Sequence, residues 1–333
     1  MVLALVAAGC GDSSDSADST PDAEANPPVV LATTGIWADV VANLACDGIA
    51  DVEAIIPVGG DPHGFEPSLQ DRERMENADL VVANGLQLET RLLDTLEAVK
   101  NSGTPVFAVA EHVESIPFSS GHDDHDDEGH EEHDEDGHDE DGHEDHGEDD
   151  GHDHAHGSDD PHVWFDPVRV AAVLGELAQH LIDDAGLDAD SIATCRSDYQ
   201  AELEALDHEL EDLIERLPTE KRKLVTNHDA LGYFADRYGF EIIGTALPSF
   251  STLAETNPAQ LEELAQAIEH EGVNAIFGET VHSSDDIEAL AARIGEVEVV
   301  TLHTGSLGPP DSGAEDYIGF MRTNARLIVD ALS

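Results

Sequence analysis

The 333-residue chain carries 74 Asp and Glu against 14 Lys and Arg, a formal net charge of -60 at pH 7. A field of that sign repels nucleic-acid phosphates and anionic headgroups and draws cations, which excludes nucleic acid as a partner. The length suits two domains of roughly 150 residues, and 40% hydrophobic content supports sizeable cores although aromatic residues make up only 5%.

Residues 1–10 read MVLALVAAGC, a short apolar run with small residues ahead of Cys10. The order resembles a bacterial lipoprotein signal in which Cys10 is the lipidated residue, and it implies an extracytoplasmic, membrane-anchored protein. It departs from the usual pattern in having Ala7 where Leu is customary and no Lys or Arg before the apolar run. The alternative is an ordinary apolar start with an incidental Cys. Residues 11–28 are polar and aperiodic, a disordered tether with a reach of about 23 Å. With Cys10 lipidated, Cys46 and Cys195 remain. An even number of Cys in an oxidising compartment raises a disulfide between them as an expectation, with two free thiols as the alternative.

From Val29 onward, short apolar runs alternate with amphipathic helical stretches: VVLAT at Val29, VEAII at Val52, DLVVA at Asp79 and PVFAV at Pro105. Residues 29–188 are assigned to an N-terminal α/β lobe with a parallel sheet. Inside it, residues 119–160 hold ten His among 21 acidic residues, with no Lys or Arg. Such a tract has nothing to bury and is expected to be a disordered insertion. Its imidazoles (His122, His125, His130, His133, His138, His143, His146, His152, His154 and His156) form weak, exchanging metal sites in this reading, which raise the local concentration of cargo; a passive solvating tract is the competing reading.

Leu203, Leu206, Leu210, Leu213, Ile214 and Leu217 recur at helical spacing before Pro218. The pattern predicts a linking helix over residues 189–217, about 43 Å long, running along both lobes. Residues 218–333 repeat the α/β arrangement with KLVTN at Lys223, FEIIG at Phe240, VNAIF at Val273 and VEVVTL at Val297. The fold expected is therefore two parallel-sheet α/β lobes joined by a rigid helix.

Three His lie in loops beside these elements: His63 in GGDPHGFEPS, His162 in DDPHVWFDP and His228 in TNHDALGYF. Two share the word Asp-Pro-His, in which Pro fixes the backbone and nearby carboxylates can accept the imidazole N–H not used for metal. Three imidazoles and one further donor meet the tetrahedral preference of zinc. The same constellation suits a zinc hydrolase, but no His-Glu-x-x-His, nucleophile elbow or phosphate loop accompanies it.

The succession DPHGFEPS, ADLVVANGLQLE, a His-rich tract, DPHVWFDP, a long helix, VTNHDALGYF and IFGET resembles the metal-binding lipoproteins of cluster A-I ABC importers, which take up zinc or manganese. The resemblance covers nearly the whole chain from Val29. It implies two lobes with the metal in the cleft between them, His63, His162 and His228 as ligands, a membrane permease as partner, a monomeric chain and no enzymatic activity. Manganese-type members usually have Glu where this chain has His228, which points to zinc, with manganese as the alternative. Members often carry Asp before Ser-Leu near the C-terminus, where this chain has Gly305. The fourth donor is then water, Glu279, Glu66 or His303. A metal buffer or an adhesin without a transporter is the alternative role.

The acidic excess extends well beyond residues 119–160, so the folded surface repels itself and is adapted to a salty medium. Thermal unfolding is expected to shift upward with added KCl or NaCl; a melting temperature independent of salt rules this out.

Overall fold

The computed structural model describes residues 26–117, 159–295 and 297–333. Cys10, the tether up to Ala25 and the ten His of the acidic tract lie outside the described residues.

The first sheet is formed by β1 (Val29–Ala32), β2 (Asp51–Ala54), β3 (Leu80–Ala83) and β4 (Val106–Ala108), with α1 (Gly35–Leu44), α2 (Leu69–Glu76) and α3 (Leu93–Ser102) as crossovers. The chain then enters two packed helices, α4 (Pro167–Asp183) and α5 (Ala189–Ile214). The second sheet comprises β5 (Lys223–His228), β6 (Glu241–Leu247), β7 (Ala275–Glu279) and β8 (Glu298–Leu302), linked by α6 (Gly232–Tyr238), α7 (Pro258–Glu271) and α8 (Asp285–Ile294), and α9 (Tyr317–Leu332) ends the chain. All eight strands fall on the predicted apolar runs, within one or two residues at each start.

Both sheets are wholly parallel and have the same order, β2-β1-β3-β4 and β6-β5-β7-β8. Central β3 and β7 are buried on both faces, and their continuous apolar runs are what a sheet covered by helices on both sides requires. In this order the first and third strands of each sheet are neighbours whose following connections diverge, which opens a crevice at their carboxyl ends. Thr33 and Asn84 stand at that point in the first lobe, His228 and Glu279 in the second.

Local signals set the helix starts. Thr34 accepts from Trp37 N at the head of α1, Ser68 and Asp71 form a capping box on α2, and Asp166 accepts from Val168 N with Pro167 at the first helical position of α4. Helix α5 is shorter than the leucine pattern suggests: it ends at Ile214, about 39 Å from its start, and Leu217 is buried in the following turn.

The first half of α5 is tied to the N-terminal lobe by a disulfide between Cys195 and Cys46, with Cα atoms 5.8 Å apart. Closing a loop of 149 residues, this bond restricts the unfolded chain by about 5 kcal/mol in the chain-entropy description. The second half is tied to the other lobe. Arg237 of α6 bonds Asp207 and Glu211, and Arg322 of α9 bonds Glu209 at 2.7 and 2.8 Å. The largest apolar cluster runs without a break through both lobes and includes Trp37, Val82, Leu174, Leu206, Phe277 and Phe320. Helix α9 also returns to the first lobe, where Tyr317 N donates to Asp39 of α1 at 2.9 Å.

The acidic tract was expected to run through Asp160, and here the structure differs. Pro117 and Asp159 pair as an antiparallel bridge, Asp160 N donates to Ile116 O at 2.9 Å, and Asp160 is fully buried. Asp160 belongs to the fold because its carboxylate bonds His162, a role that composition does not reveal.

Burial pushes the Asp39 carboxyl up to about 6; the N–H of Tyr317 opposes this and the Asp316 charge adds to it. The folded value lies above the roughly 3.9 of an exposed Asp. The associated stabilisation is therefore complete below about pH 4, is lost as pH rises toward about 6, and changes no further above that. Asp39→Asn is expected to flatten this fall and to stabilise the protein at neutral pH by roughly 2–3 kcal/mol. Thermal melts of both proteins across this window check it, and parallel curves exclude it.

Candidate metal centre

His63 sits in the connection after β2, His162 in the segment leading to α4, and His228 at the carboxyl end of β5. The two Asp-Pro-His words fold alike, because in each the Asp accepts the N–H of the His two residues on. Asp61 Oδ1 takes His63 N at 3.0 Å, and Asp160 Oδ1 takes His162 N at 2.9 Å. This Asx-type turn, stiffened by Pro, aims each imidazole inward.

The three side chains meet although 99 and 66 positions of sequence separate them. His162 Nε2 is 3.3 Å from His63 Nε2 and 3.2 Å from His228 Nε2, and all three residues are buried. Bonds of about 2.0–2.1 Å at tetrahedral angles place donor nitrogens about 3.3 Å apart, so the spacing fits one zinc-sized ion.

The outward nitrogens fix the tautomers. His162 Nδ1 lies 2.7 Å from Asp160 Oδ1, and His228 Nδ1 bonds Glu279 Oε1. A carboxylate accepts only, so each Nδ1 carries the hydrogen and each Nε2 presents a lone pair to the centre. Among the described residues His63 Nδ1 has no hydrogen-bond partner of ordinary geometry, and the Leu88 backbone acts on that ring instead.

Burial holds His63 and His162 well below the usual imidazole range, and the neighbouring imidazoles push the same way. Burial also lowers His228, but the Glu279 carboxylate outweighs it and raises that imidazole. Glu279, which burial alone would push up, is drawn down to about 2 by His228 and by Thr304 Oγ1, which donates to it at 2.8 Å. The triad thus couples two readily neutral imidazoles to a third that takes up a proton when no other cation is near.

Four positions were open for the fourth donor, and three of them are protein groups placed elsewhere. Glu279 stands behind the His228 ring, with one oxygen on Nδ1 and N of His228 and the other on Thr304. Glu66 is exposed and pairs with Arg91. His303 holds Asn324 through its backbone, and its ring packs near Gly308. Among the described residues, only His63, His162 and His228 converge as a buried metal-ligating group. Gly305 is accounted for by packing: a Cβ there would lie 2.8 Å from Pro62 Cδ, because the first Asp-Pro-His word rests on residue 305.

Sequence reasoning missed the frame around the triad. Asn84 Nδ2 donates to Pro161 O at 2.9 Å, and Asn84 Oδ1 accepts from Trp37 Nε1 at 2.8 Å. Buried Glu89 takes Thr33 Oγ1 at 2.6 Å, Asn84 N at 2.7 Å and Gly85 N at 3.2 Å. It stabilises a left-handed turn in which Leu86 and Gln87 have φ of 48° and 61°, and the same turn brings Leu88 to His63. The Asn-Gly step at Asn84 was the available signal for this turn. Thr252 Oγ1 donates to Asp61 Oδ2 at 2.6 Å, binding the second lobe to the first Asp-Pro-His word.

Residues 30–331 match the family described as zinc-uptake complex component A, periplasmic (ZnuA). The chain is 31% identical over 315 residues to the zinc-binding protein TroA of Treponema pallidum, covering 92% of this chain and 89% of that one. It is 26% identical to the manganese-binding lipoprotein MntA of Halalkalibacterium halodurans, covering 100% of this chain and 96% of the relative. The solved structure of the Treponema pallidum periplasmic zinc-binding protein TroA superposes with a TM-score of 0.75 at 27% identity, covering 92% of this chain and all of that one.

Glu279→Gln removes the charge behind His228 and is expected to weaken zinc binding by about 10–100-fold with the fold intact. Competition against a chelator of known affinity measures it; an unchanged zinc affinity refutes the role assigned to Glu279.

Proposed function

Because the chain belongs to the zinc-uptake complex component A family, whose members are metal-binding proteins of ABC importers and not enzymes, we propose that it captures zinc outside the cytoplasm and delivers it to a membrane permease. The observation that carries this reading is the set of three buried imidazoles in which His162 Nε2 lies 3.3 Å from His63 Nε2 and 3.2 Å from His228 Nε2, with His162 and His228 fixed as acceptors.

Zinc is favoured over manganese because the convergent donors are all imidazoles and, among the described residues, no carboxylate joins them, whereas manganese is better served by harder oxygen donors. In this reading His63, His162 and His228 bind the ion and water supplies the fourth donor. The relatives named above bind zinc in one case and manganese in another, so the family alone does not choose.

Some of the relatives, the Halalkalibacterium halodurans protein among them, are named as lipoproteins, which supports Cys10 as an anchor. No helix among the described residues is long and apolar enough to cross a membrane. The protein acts as a monomer in this scheme. A core shared by both lobes, and a disulfide-tied helix along them, favour small local adjustments over wide hinge closure when the ion enters or leaves.

Calorimetric titration of the intact chain beside its His228→Ala variant tests the reading. One tight zinc per chain is expected to be lost in the variant, manganese is expected to bind far more weakly, and zinc affinity should fall from about pH 7.5 to about pH 5 as protons compete for the imidazoles. Tight zinc binding that survives His228→Ala, or that is indifferent to this pH change, overturns it.

A further inference from the structure

The three imidazoles are buried, so their ion needs a way in, and the undivided core and disulfide-tied spine place that movement in a loop rather than a hinge. The connection between β6 and α7, residues 248–257, passes all three ligand-bearing segments in turn. Near its start Ser249 O accepts from Asp229 N at 3.1 Å, next to His228. The Phe250 ring then lies 6.3 Å from the His162 ring. Beyond it, Thr252 Oγ1 donates to Asp61 Oδ2 at 2.6 Å, and a Cβ on Gly64 would lie 3.7 Å from Leu253 Cδ2, so this loop of the second lobe reaches both sides of His63 in the first.

The loop is folded on itself as a unit. Ser251 N donates to Ser249 Oγ at 3.0 Å, Leu253 N to Ser251 Oγ at 3.2 Å and Ala254 N to Ser251 O at 3.3 Å, so serine hydroxyls two residues back take the place of a sheet or helix ladder. Thr252 is buried, whereas Leu253 beside it is 41% exposed, which sets the loop at the boundary between the site and solvent. Pro248 and Phe250 also line a cavity of about 530 Å³ between β6 and α7, with Ile242 and Leu264 among its other walls. That space is many times the roughly 30 Å³ share of one water, room enough for the Phe250 ring to turn into when it leaves His162.

We propose that residues 248–254 form a strap that opens to admit and release the ion, with the Thr252–Asp61 hydrogen bond as its latch and the Phe250 ring as its plug beside His162. The proposal rests on the triad being the metal site. Asp61 gives one oxygen to the latch and the other to His63 N, so opening the strap leaves in place the turn that aims His63. Thr252 acts through Asp61 rather than on a ligand nitrogen. It is a positioning residue, and its charge-assisted bond sets how often the strap opens.

Stopped-flow mixing of the full chain with Zn²⁺, read by fluorescence of Trp164, whose ring lies 5.2 Å from His162, gives the entry rate, and a chelator chase gives the exit rate. Thr252→Val keeps the side-chain shape and removes the donor. It is expected to speed entry and exit alike by about tenfold or more, the factor that one hydrogen bond to a charged group represents, with zinc affinity changed by less than about twofold. Thr252→Ser keeps the hydroxyl and should leave both rates as they are. Amide hydrogen exchange of residues 249–254 in the metal-free chain should quicken by a similar factor in Thr252→Val and not in Thr252→Ser. Zinc rates or amide exchange unchanged in Thr252→Val overturn the proposal. So does a loss of affinity carried by faster exit alone, which would make Thr252 a prop for His63. Failure of the triad reading is separately visible, as a zinc affinity and a Trp164 signal that persist in His228→Ala.

Discussion

Imidazole nitrogens that face one another as lone pairs cannot satisfy each other. His162 and His228 are fixed in that state by carboxylates on their far sides, Asp160 and Glu279, and their Nε2 atoms stand 3.2 Å apart in a buried space. A shared cation relieves this, whether a proton held at His228 or a metal ion bound by all three rings. Much of the surrounding architecture keeps these rings from turning away: the Asx-type turns of the two Asp-Pro-His words, Thr304 on Glu279, and the Asn84–Glu89 network beneath Pro161.

The frame matches that demand. Each sheet opens a crevice at the carboxyl ends of its first and third strands, and the two crevices are set against each other by a core that does not divide between the lobes. Cross-lobe contacts are polar where they meet the site, as in Thr252 on Asp61 and Trp164 Nε1 on Thr304 O at 3.0 Å. Along the spine they are apolar, covalent or ionic: α5 is fastened at one end by the Cys46–Cys195 disulfide and at the other by ion pairs to Arg237 and Arg322. A site pre-set to this degree spends little binding energy on ordering its ligands. Selectivity then rests on donor chemistry and spacing more than on closure around the ion.

Charge acts at two ranges. The acidic surface as a whole concentrates cations without regard to identity. Within the site, the carboxylates of Asp160 and Glu279 act through the rings they hold and set which nitrogen faces the centre.

The amino-acid sequence alone determined the strands, the doubled α/β arrangement and the three imidazoles. Continuous apolar runs, capping residues and the repeated Asp-Pro-His word are local signals, and local physics reads them. The end of α5 at Ile214 was less legible, because leucine spacing continues into a turn that buries Leu217 in the same core. Only the tertiary structure decided which partners each ring has. Glu279 lies 51 positions from His228, and its place behind the ring follows from β5 and β7 being neighbours in the sheet. Likewise Gly305 reads as a missing carboxylate in one dimension and as a packing requirement against Pro62 in three. Asp160 sits at the end of a tract whose composition spells solvent, yet it is fully buried, where it holds both the N–H and the ring of His162 although burial disfavours its charge and raises its carboxyl to about 7.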